Sequence, residues 1–206
     1  MFYEPGRRDK TILPHDPFKA IVAPRPIGWI STRAVDGRVN LAPYSFFNGF
    51  SSRPPIVGFS SEGGYKDSAT FARESGEFVA NLATFALRDA MNATSAPLPR
   101  GVSEFLAAGL TMAPCRHVAA PRVAESPAAL ECKVVEVIEI RDRTGAPAGA
   151  VLTLGEVVGV HIDEDYVRDG RFDIERARPL ARCGYQDYAA VEAVFPIARP
   201  KGGGND

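Results

Sequence analysis

Ile27-Gly28-Trp29-Ile30-Ser31-Thr32-Arg33-Ala34-Val35-Asp36-Gly37-Arg38-Val39-Asn40-Leu41-Ala42-Pro43-Tyr44-Ser45-Phe46-Phe47-Asn48 is the stretch on which the fold turns. Ile27 to Ala34 reads as a strand. Val35 to Arg38 then supplies hairpin chemistry, because Asp-Gly readily takes the positive φ values of tight turns. Val39 to Ser52 reads as the partner strand. Alternation puts Tyr44, Phe46 and Phe50 on one side and Ser45, Phe47 and Ser51 on the other.

Outward from this hairpin the same grammar continues. Ile56 to Ser60 follows Pro54-Pro55 as a short apolar run suited to a buried strand, and Glu77 to Leu82 is another. Leu130 to Asp142 and Ala150 to Asp163 are β-branched and flank Thr144-Gly145-Ala146-Pro147, which predicts a second hairpin. Helical pattern is confined to Asp67–Ser75, closed by Gly76, to Phe85–Thr94, and to Ser103–Ala108, closed by Gly109. Seventeen prolines and nineteen glycines punctuate the chain too closely for a helical bundle. Helices that are inserted rather than alternating with strands point to a mainly β fold: a closed or nearly closed, Greek-key-like antiparallel β-barrel with inserted helices. No GxGxxG follows a strand, and near Gly58 the phosphate-loop pattern fails because Gly64 stands where its lysine belongs.

At 206 residues the chain suits one compact domain, expected over 15–195, with an N-terminal extension at 1–14 and a disordered tail at 196–206. A hydrophobic content of 45% and a net charge of −1 argue against non-specific binding to nucleic acid or to an anionic membrane. No apolar run reaches the roughly 18–20 residues that span a bilayer, and the first ten residues lack a signal peptide's apolar stretch. A cytoplasmic location is expected. Cys115, Cys132 and Cys183 are scattered, as are His15, His117 and His161, so their spacing predicts no metal site. There is no GxSxG elbow and no Ser-His-Asp set. A bound cofactor carrying the chemistry would make that silence unimportant.

Three blocks speak for a cofactor: Ala23-Pro24-Arg25-Pro26-Ile27-Gly28-Trp29-Ile30-Ser31-Thr32, Val39 to Asn48, and Phe59-Ser60-Ser61 with Tyr65-Lys66-Asp67-Ser68. In content, order and spacing they resemble the FMN-binding split-barrel family of flavin reductase-like proteins, over roughly residues 15–190. Asn40-Leu41-Ala42-Pro43-Tyr44-Ser45-Phe46-Phe47-Asn48 is the most specific part. Lys66-Asp67-Ser68 departs from the family's more usual Lys-Asp-Thr but keeps a hydroxyl. The resemblance implies FMN as cofactor, NAD(P)H as electron donor, and a homodimer whose second subunit completes the flavin groove. It also implies a flavin-dependent monooxygenase as a partner protein. It carries Trp29, Ile30 and Asn40 into the cofactor site, and marks Arg182 and Tyr185, in the closing segment Pro179 to Tyr188, for cofactor or interface contacts.

The chemistry of the residues agrees with the resemblance. A phosphomonoester needs donors and a cation, and Lys66 stands immediately before a helix start, where free N–H groups and the positive dipole end gather. Ser31, Thr32, Ser60 and Ser68 offer hydroxyls, and Arg25 a second cation. Asp67 is expected to cap the helix. Ala42, Pro43, Tyr44, Ser45 and Phe46 suit a flat ring, apolar on its faces and polar along one edge.

On the strand Ala150 to Asp163, Leu152, Leu154, Val158, Val160 and Ile162 are expected to form the core face. Thr153, Gly155, Val157, Gly159 and His161 form the other, where glycines leave room for a close approach. His161 is then a candidate to border the flavin or a nicotinamide, or a surface or dimer contact. Two further functions stay open on sequence: an FMN-binding electron carrier without nicotinamide activity, and a flavin-free interaction domain on the same barrel.

Overall fold

A computed structural model describes residues 1–98 and 102–200. A short helix α1 (Phe18–Ile21) and strand β1 (Arg25–Pro26) lead into the hairpin of β2 (Gly28–Arg33) and β3 (Val39–Tyr44). Strands β4 (Phe47–Ser52) and β5 (Pro55–Glu62) form a second hairpin, followed by α2 (Asp67–Ser75) and β6 (Glu77–Leu82). The connection onward holds α3 (Arg88–Ala93), α4 (Glu104–Ala107) and the short strands β7 (Met112–Ala113) and β8 (Arg122–Val123). The long hairpin is β9 (Ala128–Arg141) and β10 (Pro147–Ile162). The chain closes with β11 (Val167–Arg168), β12 (Arg171–Phe172), α5 (Ile174–Ala177), β13 (Leu180–Gly184) and β14 (Asp187–Ala190).

Seven strands make one antiparallel sheet in the order β3-β2-β6-β9-β10-β5-β4. This corrects the reading of Val39 to Ser52 as a single partner strand. β3 and β4 lie at opposite ends of that order, and the chain crosses between them at Ser45-Phe46. There the Ser60 N–H donates to the Phe46 carbonyl at 2.8 Å. The sheet thus curls until its two ends meet along a seam, which makes it a split barrel. The outward Leu41 N–H donates to the Glu104 carboxylate at 3.2 Å. Pro43, two residues on, has the same outward orientation, where an end strand tolerates a missing N–H.

Alternation along β2 divides the core. Trp29 joins Ile27, Leu41, Met91, Phe105, Val123 and Leu180 on one side. Ile30 joins Val57, Phe59, Ala72, Phe78 and Cys132 on the other, with Tyr44 and Phe47 packed against them. Burial on β10 is the reverse of the expectation. Val151, Thr153 and Gly155 are enclosed, whereas Val158, Val160 and Ile162 are exposed. The glycines do mark close approach, but the visitor is the protein's own ring: a Cβ on Gly155 would lie 2.4 Å from Cε1 of Phe78. The charged stretch Asp163 to Arg178 contains β11, β12 and α5. Residues 191–200 carry no helix or strand, and the rest of the expected tail, 201–206, lies outside the described residues.

Candidate functional site

After β5 the chain turns through Gly63 and Gly64, with φ of +85° and +83°, and Ser61 Oγ donates to the Gly64 carbonyl at 2.9 Å. Lys66 then occupies the N-cap position of α2, and no side chain caps the helix there. Asp67 does not serve as the expected cap. It sits inside the first turn, whereas a capping side chain acts from the residue before it. The N–H groups at this helix start therefore have no side-chain acceptor, and the exposed Lys66 makes no ion pair among the described residues. Gly76 ends the helix with φ of +73°.

Ser68 is buried one turn-position further in, and its hydroxyl accepts a hydrogen bond from Asn40 Nδ2 at 2.6 Å. Thr32 pairs with Asn40 across β2 and β3, so both side chains share the face that α2 covers. Thr32 Oγ1 is buried there without a hydrogen-bond partner among the described residues. Burial pushes the Tyr44 hydroxyl pKa up; the neighbouring Ser68 and Ser61 hydroxyls oppose this, while the charges of Asp67 and Glu104 add to it. Tyr44 is thus a neutral O–H donor at pH 7. Asn40, Ala42, Pro43, Tyr44, Lys66 and Ser68 line one groove of about 390 Å³, within the usual size of a small-molecule site. Its far wall, Thr94 to Leu98 with Glu104, carries no motif that would have announced it.

A second cavity of about 480 Å³ begins on the other side of the same ribbon, where Ser45, Phe46 and Ser60 line it with Phe47, Phe50 and Leu152. Two glycines admit its rings. A Cβ on Gly28 would lie 2.5 Å from the Phe47 ring, and one on Gly58 would lie 2.8 Å from Phe50. Phe47, Phe50 and Leu152 escaped the sequence reading because alternation alone does not say which apolar residues face a ligand. Arg25 also lines this slot, with its guanidinium 5.7 Å from the Phe46 ring centroid. It donates to the carbonyls of Lys19 and Val22, and its Nε is buried without a partner. Arg25 thus lines this slot, whereas Lys66 lines the helix-start groove.

The remaining candidates go elsewhere. Trp29 and Ile30 are core residues with no exposed surface, and the Trp29 indole donates to Thr94 Oγ1 at 2.9 Å. Ser31 points to the opposite face from Thr32, where it donates to the Pro121 carbonyl and accepts from Asn81. Arg182 faces a separate cavity beside Phe85 and Arg88 and stacks on Tyr188 at 4.4 Å. It meets the slot only through main-chain pairing with Arg25. The Tyr185 ring lies 5.9 Å from that of His15. His161 lies in yet another cavity, 2.5 Å from a carboxylate oxygen of Glu131.

The family model described as the flavin reductase like domain matches residues 22–180, most of the chain and nearly all of both grooves. The chain belongs to the flavin reductase-like family. A Halalkalibacterium halodurans relative, protein BH2278, is 39% identical over 183 residues, 87% of each chain. Among solved structures, nitrilotriacetate monooxygenase component B from Bacillus cereus superposes with a TM-score of 0.85 at 28% identity. The match covers 96% of this chain and 98% of that one. Flavoredoxin of Desulfovibrio vulgaris superposes with a TM-score of 0.76 at 26% identity, covering 86% and 92%. Membership in the flavin reductase-like family agrees with an oxidoreductase built on the split barrel. No helix among the described residues is long and apolar enough to cross a membrane.

Proposed function

We propose that this chain binds FMN across the seam and acts as an NAD(P)H:flavin oxidoreductase. The carrying observation is the uncapped start of α2. Unclaimed N–H groups and the exposed Lys66 stand beside Ser68 and Asn40, one residue ribbon away from an aromatic slot. The residues fit the cofactor on a second count as well. Two of the five buried side-chain atoms that lack a partner among the described residues lie near these halves, Thr32 Oγ1 beside Asn40 and Arg25 Nε in a residue lining the slot. Unsatisfied buried polar groups are uncommon and call for an explanation such as a ligand.

When bound, FMN supplies the hydride-accepting and electron-releasing chemistry. The chain's own residues position it. Lys66 and the α2 start hold the phosphate, with Ser68 oriented by Asn40. Tyr44 offers a neutral O–H, and Phe46 and Phe50 flank a planar ring. Arg25, held by the carbonyls of Lys19 and Val22, would lend a positive charge to the slot that receives the ring. No side chain is required as a general acid or base for hydride transfer; stacking space over one ring face is enough.

Likeness to nitrilotriacetate monooxygenase component B supports a role as the reductase partner of a flavin-dependent monooxygenase. Likeness to a flavoredoxin supports the other reading, an FMN electron carrier that does not use nicotinamide. Anaerobic mixing of the FMN-loaded protein with NADH or NADPH separates them. Rapid loss of the yellow flavin absorbance is expected. Unchanged absorbance with both donors, together with reduction by a protein or chemical donor, would establish the carrier instead.

We place a homodimer in the same proposal. The β9–β10 hairpin leaves Val135, Val158, Val160 and Ile162 exposed, with Val160 60% accessible. Exposed apolar side chains of this kind are what a second copy would cover.

A further inference from the structure

Away from the seam, three elements bring together side chains that are far apart in sequence. Glu131 on β9 is fully enclosed, at 1% exposure, and accepts the N–H groups of Arg116 and His117 at 2.9 and 2.6 Å. Those two bonds fold the preceding loop onto the sheet and bring Cys115 with it. His161 on β10 reaches the same carboxylate through Nε2 at 2.5 Å. Gly159 leaves the space, since a Cβ there would lie 3.2 Å from both Glu131 Cδ and His117 Cδ2. The thiol, carboxylate and imidazole donor atoms all fall within 4.8 Å of one another. Beside them opens a cavity of about 550 Å³ that Glu131, His161 and His117 help to line.

We propose that Cys115, Glu131 and His161 form a binding site for a zinc-class divalent cation, open toward this cavity. Sulfur, nitrogen and oxygen donors in threes, with one position left to water or a fourth side chain, are the ligand set of zinc sites that keep an open coordination position. His117 is the side chain nearest to hand for that place. The geometry is a short step from coordination. Bond lengths of about 2.0 Å to N and O and 2.3 Å to S place tetrahedral ligand atoms roughly 3.3–3.6 Å apart. The His161–Glu131 pair therefore opens by under about 1 Å, and the thiol, within 4.8 Å of both, closes by at most about 1.3 Å. The two main-chain bonds to Glu131 stay in place, acting as the outer partners that orient a ligating carboxylate. His161 binds through the lone pair of Nε2, as neutral imidazole. Cys115 loses its proton to solvent and binds as thiolate.

Zinc chloride titrated calorimetrically into the full-length, FMN-loaded protein tests this, in two buffers that differ in ionisation enthalpy. Saturation at one ion per chain is expected. Release of protons to the buffer should accompany it, because a thiol gives up its proton to bind as thiolate. Cys115→Ser and His161→Gln should each weaken binding by at least about 100-fold, the upper end of what losing a mere outer partner costs. Both variants keep hydrogen-bonding groups at these positions, and their metal-free melting temperatures report whether the fold survives. Absence of saturable binding, or unchanged affinity in either folded variant, overturns the site.

Discussion

In the proposed FMN site Lys66 would anchor the phosphate, and its contribution is separable from ring binding. It is exposed, makes no ion pair among the described residues, and stands at the N-cap of α2, where its ammonium would add to the amides of the first turn. Lys66→Ala should weaken FMN by roughly tenfold, the worth of one charge-assisted contact. Riboflavin, which has no phosphate, should bind as before; fluorescence-quenching titrations of both ligands check this. Equal losses for the two would remove Lys66 from the phosphate site. At this scale the motif was legible residue by residue only in part. Asn40, Tyr44, Lys66 and Ser68 converge on one groove. Trp29, Ile30 and Ser31, their neighbours in the same motif, serve the core and a loop carbonyl instead. A strand sends successive side chains to opposite faces, so a contiguous motif necessarily mixes ligand-facing and core residues.

Elements were easier to read than their partnerships. The span of α2 follows directly from its terminal Gly76, and the Asp36-Gly37 turn and the long β9–β10 hairpin follow from turn chemistry. The crossing at Ser45-Phe46 did not, because period-two alternation runs unbroken through it and says nothing about which strand lies alongside. Nor did the inward face of β10, where Thr153 and Gly155 pack inside although the opposite side carries more apolar residues. Close approach of Phe78 is the physical reason, and it is testable. Gly155→Ala puts a methyl 2.4 Å from a ring that has no exposed surface to escape to, so overpacking should cost about 1–3 kcal/mol. Gly49→Ala on β4, with nothing within 4 Å, should stay within about 0.5 kcal/mol of the parent. Urea unfolding curves compare the two; similar losses would mean that Gly155 is conserving backbone freedom rather than space for Phe78.

For the molecule as a whole, the apolar side chains that the long hairpin leaves exposed are what a single copy does not explain. Val160→Asp places a charge among them and should shift the protein from dimer to monomer in sedimentation velocity. FMN affinity should fall alongside if the second copy helps to cover the ring. A variant that remains dimeric would locate the contact elsewhere.

Sheets ordinarily present bare rows of main-chain N–H and C=O groups at their end strands, where an extended peptide can add itself. In the large sheet here, both end strands belong to one continuous stretch that folds back on itself, and the outward amide of Leu41 is already held by Glu104. A protein approaching the large sheet along β3 therefore meets the Glu104 side chain where an open sheet would offer that amide. Recognition there would rest on shape and charge, which substitution can retune one position at a time.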